Sequence, residues 1–483
     1  VLESREGPPN WLAESDRAFS LGLFAVALVL RLAVALVWAG DPVWDGEFYH
    51  LGAARLAAGL GYSGERVVGG VALSEPWSHY PVGLSALLAP AYLVFGPSPR
   101  VAVAVGALLG GLVAPLTHRV ARHALSPRRA RMAGLVVALS PELVLYAALV
   151  MTEVPAALSL VLASWLALRG RGGLASLALG GAALGLGALV RPPTVLFAPA
   201  LGLVRFRWAE GASRVRALAL GGLVATLAAL AVVAPWTARN CVTLDGCAFV
   251  STNGGWNLAI GASPHATGRY VPLSADEWCP NVHAPVAQDR CLRDRALAWA
   301  GADPLRWLGL ASNKLGHTWS YASFPVSYLA EARPAAWSAE RARAGLVGLT
   351  ALHALVLAGA SLALVPRPPR GRAAKAQLGI VAAGLVLTAA LPSHPLWLLA
   401  AWLVVAPFVD RGERPAPSRA PLDLAAAAVG IVCVTSVVFF GENRYHVVAS
   451  PMLALLAAAA LRPLPSARPG TPSDGPEAPR ETA

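Results

Sequence analysis

The sequence is short of charge. Asp, Glu, Lys and Arg make up 14% of its 483 residues, where a soluble globular chain carries about a quarter. Lysine is nearly missing: Lys314 and Lys375 stand alone among 39 basic residues. No G-x-x-x-x-G-K-[ST] occurs, and no G-x-G-x-x-G opens a helix after a strand, so nucleotide-driven transport has no motif behind it. A charge-poor chain is neither a soluble enzyme nor disordered over most of its length. What the sequence does have is 56% hydrophobic residues and 46 glycines, the composition of a polytopic membrane protein. Its net charge of +12 would suggest nucleic acid in a soluble protein. Here the first question is which side of a bilayer the arginines occupy, and no nucleic-acid partner is expected.

A spanning helix needs roughly 17 to 25 apolar residues. Candidate spans run near 20–40, 101–117, 132–150, 154–168, 173–190, 217–235, 344–366, 376–391, 396–409, 422–440 and 447–461, with two short Pro-flanked pieces at 81–96 and 194–204. The expectation is an all-α polytopic protein of about 11 to 13 membrane helices. The loops 118–131, 169–171, 205–216, 367–375 and 410–420 hold eighteen basic residues against three acids, as loops on the cytoplasmic side should. All five share that side if 194–204 crosses and 81–96 dips from the outer face or lies along it. The organisation read from this is a cytoplasmic N-terminus 1–19, a first uncleaved membrane helix 20–40, an outer loop 41–80, a membrane core 81–235, a small α-rich or mixed outer domain 236–343, C-terminal membrane helices 344–461 and a disordered cytoplasmic tail 462–483. Cys241, Cys247, Cys279 and Cys291 all fall in the outer segment, while Cys433 lies in a span. Four cysteines in an oxidising compartment admit three connectivities. The local pairs Cys241–Cys247 and Cys279–Cys291 are favoured, since the spacings lack the C-x2-C pairs of structural zinc.

The first outer loop concentrates Asp41, Asp45, Glu47, Glu65 and Glu75 against Arg55 and Arg66. Phe48, Leu51, Ala54 and Ala58 recur at helical spacing, so 47–58 reads as an amphipathic helix on the membrane. Asp45 just before it is either a helix N-cap or a general base able to take a proton from a hydroxyl. Glu142 and Arg31, each costing about 2.5–3.5 kcal/mol if alone at the bilayer centre, should face the bundle interior or a wet cavity. His353 and His394 are given no role.

WDGEFYHLGAARLAAGLGYS followed by HYPVGLSALLAPAYLVFG resembles the opening of the polytopic GT-C glycosyltransferases, the broad group of protein O-mannosyltransferases and lipid A aminoarabinose transferases. SPELVLYAALVMTEVP, PWTARN with STNGGWNLAIGASPHATGRY, and FGENRYHVVASPMLALLAA resemble later segments of that group in the same order. The resemblance implies a GT-C fold, with Asp45, four residues before Tyr49, as the catalytic carboxylate and Glu153 as a second acid. It leaves Asp41 as a rival to Asp45. Gly261-Ala262-Ser263 departs from the Gly-Asn-Asn often found in relatives.

Transfer from a lipid phosphate needs a base for the incoming hydroxyl and positive charge for the leaving phosphate, a task suited to the forked guanidinium of arginine. Arg444 is the first candidate for a phosphate ligand, with Arg239 and Arg191 beside it. The bland reading of Arg444 is an interfacial anchor. Candidate sugar or acceptor contacts are Tyr49, His79, Trp256, Asn253 and Tyr445, with Trp236 and Trp337 read as interface anchors. The function expected is an inverting transfer of a sugar from a polyprenyl-phosphate-linked donor to a lipid, glycan or protein hydroxyl at the outer face of a bacterial inner membrane. The alternative is a secondary transporter or flippase of lipid-linked sugars, which predicts internal repeats that the sequence does not display. No cofactor is expected; a divalent metal on Asp41, Asp45 and Glu47 is the less favoured variant.

Overall fold

The structure is a computed structural model that describes residues 10–68, 71–211, 213–363, 379, 395–409 and 416–461. The expected span 376–391 (save residue 379), the loop 367–375, His394, residues 410–415 and the tail 462–483 lie outside the described residues.

The chain is almost entirely helical, as its periodicity requires. In order come α1 (Asn10–Trp38), α2 (Asp45–Ala57), the strands β1 (Ser63–Val68) and β2 (Val71–Pro76), α3 (Gly83–Phe95), α4 (Pro99–Ala121), α5 (Pro127–Leu139), α6 (Pro141–Leu145), α7 (Glu153–Arg169), α8 (Leu174–Val190), α9 (Gly202–Trp208) and α10 (Ser213–Thr243). Then follow α11 (Gly254–Ala262), α12 (Ala275–Trp278), α13 (Pro285–Ala302), α14 (Pro304–Trp319), α15 (Phe324–Ala332), α16 (Ala339–Leu362), α17 (Trp397–Val409), α18 (Ala416–Val438) and α19 (Ser450–Ala460). Ser-Pro pairs start several of these helices. Proline at the first helical position has its φ preset and loses no hydrogen bond there. Ser98 before Pro99 and Ser140 before Pro141 accept from backbone N–H groups of the first turn.

The polytopic helical expectation is borne out. Among the described residues, five helices are long and apolar enough to cross a membrane: Asp16–Trp38, Pro99–Ala121, Ser213–Thr243, Ala339–Leu362 and Ser418–Val438. Pro127–Leu139 and Pro141–Ala148 form a sixth candidate, bent by 45°. Several expected spans are therefore shorter or broken among the described residues. The segment read as 132–150 breaks where Ser140 and Pro141 interrupt the helical ladder. Pro192, Pro193 and Pro199 turn much of the piece read as 194–204 into 3-10 turns leading into α9.

Arg31 is 1% exposed and takes backbone partners. It donates to the carbonyls of Val137 and Ala138, each at 3.0 Å, and to Ala27. Those of Val137 and Ala138 lie in the last turn of α5, where carbonyls lack intrahelical partners, so Arg31 satisfies the helix end that the break creates.

The loop 41–80, expected on the outer face, holds one helix and a hairpin rather than helices throughout. β1 and β2 pair antiparallel from Ser63 with Pro76 to Val68 with Val71. The segment from 244 to 338 is α-rich. Ala259, Ala262, Leu292 and Ala296 form its small core, with Trp256 and Trp299 packed against it. Disulfides join Cys241 to Cys247 and Cys279 to Cys291.

Two glycines mark the places where this segment meets the C-terminal helices. A Cβ at Gly261 would run into the carbonyl of Phe439, and one at Gly441 into that of Lys314. Ala262 and Ser263, where the sequence departs from Gly-Asn-Asn, follow Gly261 directly and are buried. Gly441 N–H donates to Gly268 O at 2.8 Å, which ties the chain just before Arg444 to the segment 244–338.

Candidate active site

Asp45 opens α2. Its predecessor Trp44, with φ 54° and ψ −133°, adopts a conformation that non-glycine residues rarely take and that often marks functional sites. The indole packs edge-on to Tyr328 at 5.6 Å and against Phe324 at the same distance. Gly46 follows, and a Cβ there would meet the Tyr328 hydroxyl and the Val150 carbonyl. The turn therefore holds Asp45 in one orientation. The N-cap reading of Asp45 does not hold: Trp44 occupies the cap, without a side-chain bond, and Asp45 is already inside the first turn. Its carboxylate points elsewhere.

Asp45 Oδ1 accepts from the Tyr80 hydroxyl at 3.0 Å, and Oδ2 accepts from Arg444 Nη1 at 2.6 Å. Arg444 also donates through Nε to Glu442 Oε2 at 2.6 Å, and that Nε lies 3.8 Å from Glu153 Oε1. Glu153, fully buried at the first position of α7, accepts from Arg191 Nη1 at 2.9 Å, a nitrogen that also reaches Thr152 Oγ1 at 3.2 Å. Tyr445 is stacked under both guanidiniums, 4.7 Å from Arg191 and 5.7 Å from Arg444. The helix ends suit these charges. Asp45 and Glu153 sit at the N-termini of α2 and α7 and Arg191 caps the C-terminus of α8, each matched in sign to the local dipole.

Three carboxylates thus face two guanidiniums. Burial pushes the Asp45 carboxyl up, but the charge and hydrogen bond of Arg444, with the Tyr80 hydroxyl, outweigh it and hold Asp45 below its ordinary value. Glu442 goes the other way. Burial raises it, and neighbouring Asp45 and Glu153 add to the rise against the pull of Arg444. A proton on Glu442 leaves the cluster neutral. Tyr80 is raised by burial and by Asp45, so it stays a donor. Glu153 Oε2 and the Tyr146 hydroxyl are buried with no hydrogen-bond partner among the described residues.

The other sequence candidates fall into two groups. Tyr49, Tyr445, Trp256, His79 and Asn253 surround or lead to the cluster. Tyr49 is buried, its ring 5.6 Å from that of Tyr80. His79 bridges Tyr80 at 5.1 Å and Trp256 at 5.5 Å, both edge-on. Burial lowers His79, keeping it neutral despite Asp45. Asn253 accepts from Ser251 at 2.8 Å, next to Thr252, whose N–H reaches Ser78 O. Arg239 is placed apart. Its guanidinium donates to the carbonyls of Trp77 and Tyr62 and to Asn240 Oδ1, and stacks on Trp236, so it ties α10 to the hairpin. Asp41 and Glu47 are exposed, and among the described residues they do not converge with Asp45 on a metal-sized site.

Glu442, Tyr80 and Thr152 were not singled out as site residues from the sequence. Glu442 lies two residues before Arg444 in FGENRYH, a spacing that already put an acid within reach of the guanidinium.

Fold and site together define a polytopic helical membrane protein built around a carboxylate–guanidinium centre. Residues 79–238, about a third of the chain, match the family of dolichyl-phosphate-mannose-protein mannosyltransferases. That match agrees with the resemblance to GT-C glycosyltransferases drawn from the sequence. Tyr80, Thr152, Glu153 and Arg191 lie within the matched stretch; Asp45, Glu442 and Arg444 lie outside it.

No curated protein matches. Among solved structures, the oligosaccharyltransferase AglB of Archaeoglobus fulgidus, in complex with an inhibitory peptide and a dolichol-phosphate, is 15% identical, with TM-score 0.45 over 92% of this chain and 50% of its own. ArnT from Cupriavidus metallidurans, bound to undecaprenyl phosphate, is 16% identical, with TM-score 0.38 over 91% and 77%. The chain spans about half the length of the archaeal enzyme.

Proposed function

We propose that the protein transfers a sugar from a polyprenyl-phosphate-linked donor to a hydroxyl acceptor, with the site facing the outer side of a bacterial inner membrane. The observation that carries this reading is the pairing of Asp45 with Arg444 at 2.6 Å from positions 399 residues apart, beside a second acid and a second arginine. A phosphodiester entering from the bilayer competes with Asp45 for the Arg444 fork, and Arg191 flanks it. Released from its pair, Asp45 becomes a stronger base and takes the acceptor proton. The acceptor oxygen forms a bond to the anomeric carbon as the carbon–oxygen bond to phosphate breaks. The electron pair leaves on polyprenyl phosphate, stabilised by the guanidiniums. One displacement inverts the anomeric centre. Glu153, with one oxygen unpartnered, orients the acceptor, and Trp256 and His79 offer ring faces for a sugar.

The test is incubation of purified protein in liposomes with a panel of polyprenyl-phosphate sugars. Release of polyprenyl phosphate from at least one, with an inverted product, is expected. A chain that moves such lipids across the bilayer without cleaving any is a flippase instead.

A further inference from the structure

Behind Arg444 lies a second polar cluster that sugar transfer does not use. Glu142 on α6, His353 on α16 and His446, in the 3-10 turn Tyr445–Ala449, are all buried, with exposures of 7%, 6% and 0%. One ligand atom from each lies within 4.8 Å of the others, the sole such group among the described residues. His446 Nε2 sits 3.0 Å from Glu142 Oε1, and the two imidazole centroids are 4.1 Å apart.

The orientation of the rings is informative. His446 Nδ1 is 2.9 Å from Thr318 O, and His353 Nε2 is 2.9 Å from Trp319 O. Both carbonyls belong to the last turn of α14, where acceptors have no intrahelical donor. Each imidazole therefore spends one N–H on the helix end; in the neutral rings the second nitrogens, Nε2 of His446 facing Glu142 and Nδ1 of His353, carry lone pairs. Metal-bound histidines are held in this way, with the second ring N–H on a backbone carbonyl or carboxylate. The α14 C-terminus adds negative potential. A Glu–His hydrogen bond accounts for His446 and the Trp319 carbonyl for one nitrogen of His353; neither calls on the second ring nitrogen of His353.

We propose that Glu142, His353 and His446 bind a single divalent metal ion of the zinc class, whose preferred ligands are imidazole nitrogen and carboxylate oxygen. Zinc bonds of about 2.0–2.1 Å ask only for a small inward movement of these side chains. His446 is two residues from Arg444, so the ion would clamp α6, α16 and the arginine-bearing turn together. The role is to position Arg444, and it does not depend on the identity of the sugar or acceptor.

The test uses the full chain, free of any tag and purified in detergent, stripped with chelator and titrated with Zn2+. About one zinc per chain retained through gel filtration is expected, together with a Co2+ visible band from the same site. His353→Gln keeps an N–H for the Trp319 carbonyl but removes the imidazole, and should weaken zinc binding more than about tenfold; His446→Gln should do the same. Retention of equal zinc by wild type and by the double variant overturns the proposal. Wild-type protein that retains no zinc overturns it too, whether or not the variants fold.

Discussion

Replacing Arg444 with Ala removes the one group that touches Asp45 and Glu442 together. Removing one partner of a buried pair costs about 3–5 kcal/mol. With the side chains of Arg444 and Asp45 14% and 24% exposed, the lower end applies. Catalysis loses a comparable amount, because a pre-aimed charge at the leaving phosphate is worth about 2.7–4 kcal/mol, a factor of about 10² to 10³ in turnover. The variant also moves the acid limb of the pH–rate profile. Asp45 works as a base only when ionised, and Arg444 is the main influence holding its carboxyl down; without it, burial, which raises the carboxyl, is opposed only by the Tyr80 hydroxyl and the charge of Arg191. Activity should therefore fail at a higher pH than in wild type as the solution is acidified. Arg444→Lys keeps one charge but not the fork, and should fall between. The assay is release of polyprenyl phosphate from labelled donor in liposomes between pH 4 and 9, a range of about five units around the carboxylate and histidine region. Arg444→Ala with turnover within about threefold of wild type and an unmoved acid limb refutes the reasoning.

Tyr80→Phe removes the hydroxyl donated to Asp45. A hydrogen bond to a charged group is worth about 1.5–3 kcal/mol, so the acid limb should shift upward in the same direction but less than in Arg444→Ala, with KM for the donor little changed. Gly46→Ala drives a methyl into Tyr328 and Val150 and should abolish most activity, whereas Gly348→Ala, with open space around it, should leave turnover unchanged in the same assay. Breaking Cys279–Cys291 by Ser substitution frees a loop of 12 residues and should cost about 3 kcal/mol, read as earlier proteolysis between residues 244 and 338.

What was legible in the sequence follows a physical pattern. Long apolar runs and basic loops marked the helical membrane protein, and rare charges beside spans marked Arg191 and Arg444, because a charge there needs a reason; the resemblance to GT-C glycosyltransferases supplied the roles of Asp45 and Glu153. Arg239 met the same criterion and is held by carbonyls instead; composition cannot tell a substrate from a backbone oxygen. The hairpin was missed although Gly69-Gly70 lies between valine-rich runs, a known turn signal, because the helical periodicity just before it dominated the reading. Glu142, His353 and His446 were invisible as a group. They lie on three elements separated by up to 304 residues, and only the packing of α14 against α18 and the turn after it turns their rings to one point.

The most direct measurement is single-turnover transfer by Asp45→Asn. Asparagine preserves size and can accept from Tyr80, but it has no charge and cannot take a proton. Protein that elutes from gel filtration as wild type does and binds donor lipid, yet releases no polyprenyl phosphate, is the expected result. Near-normal transfer by that variant would contradict the assignment of Asp45 as the base.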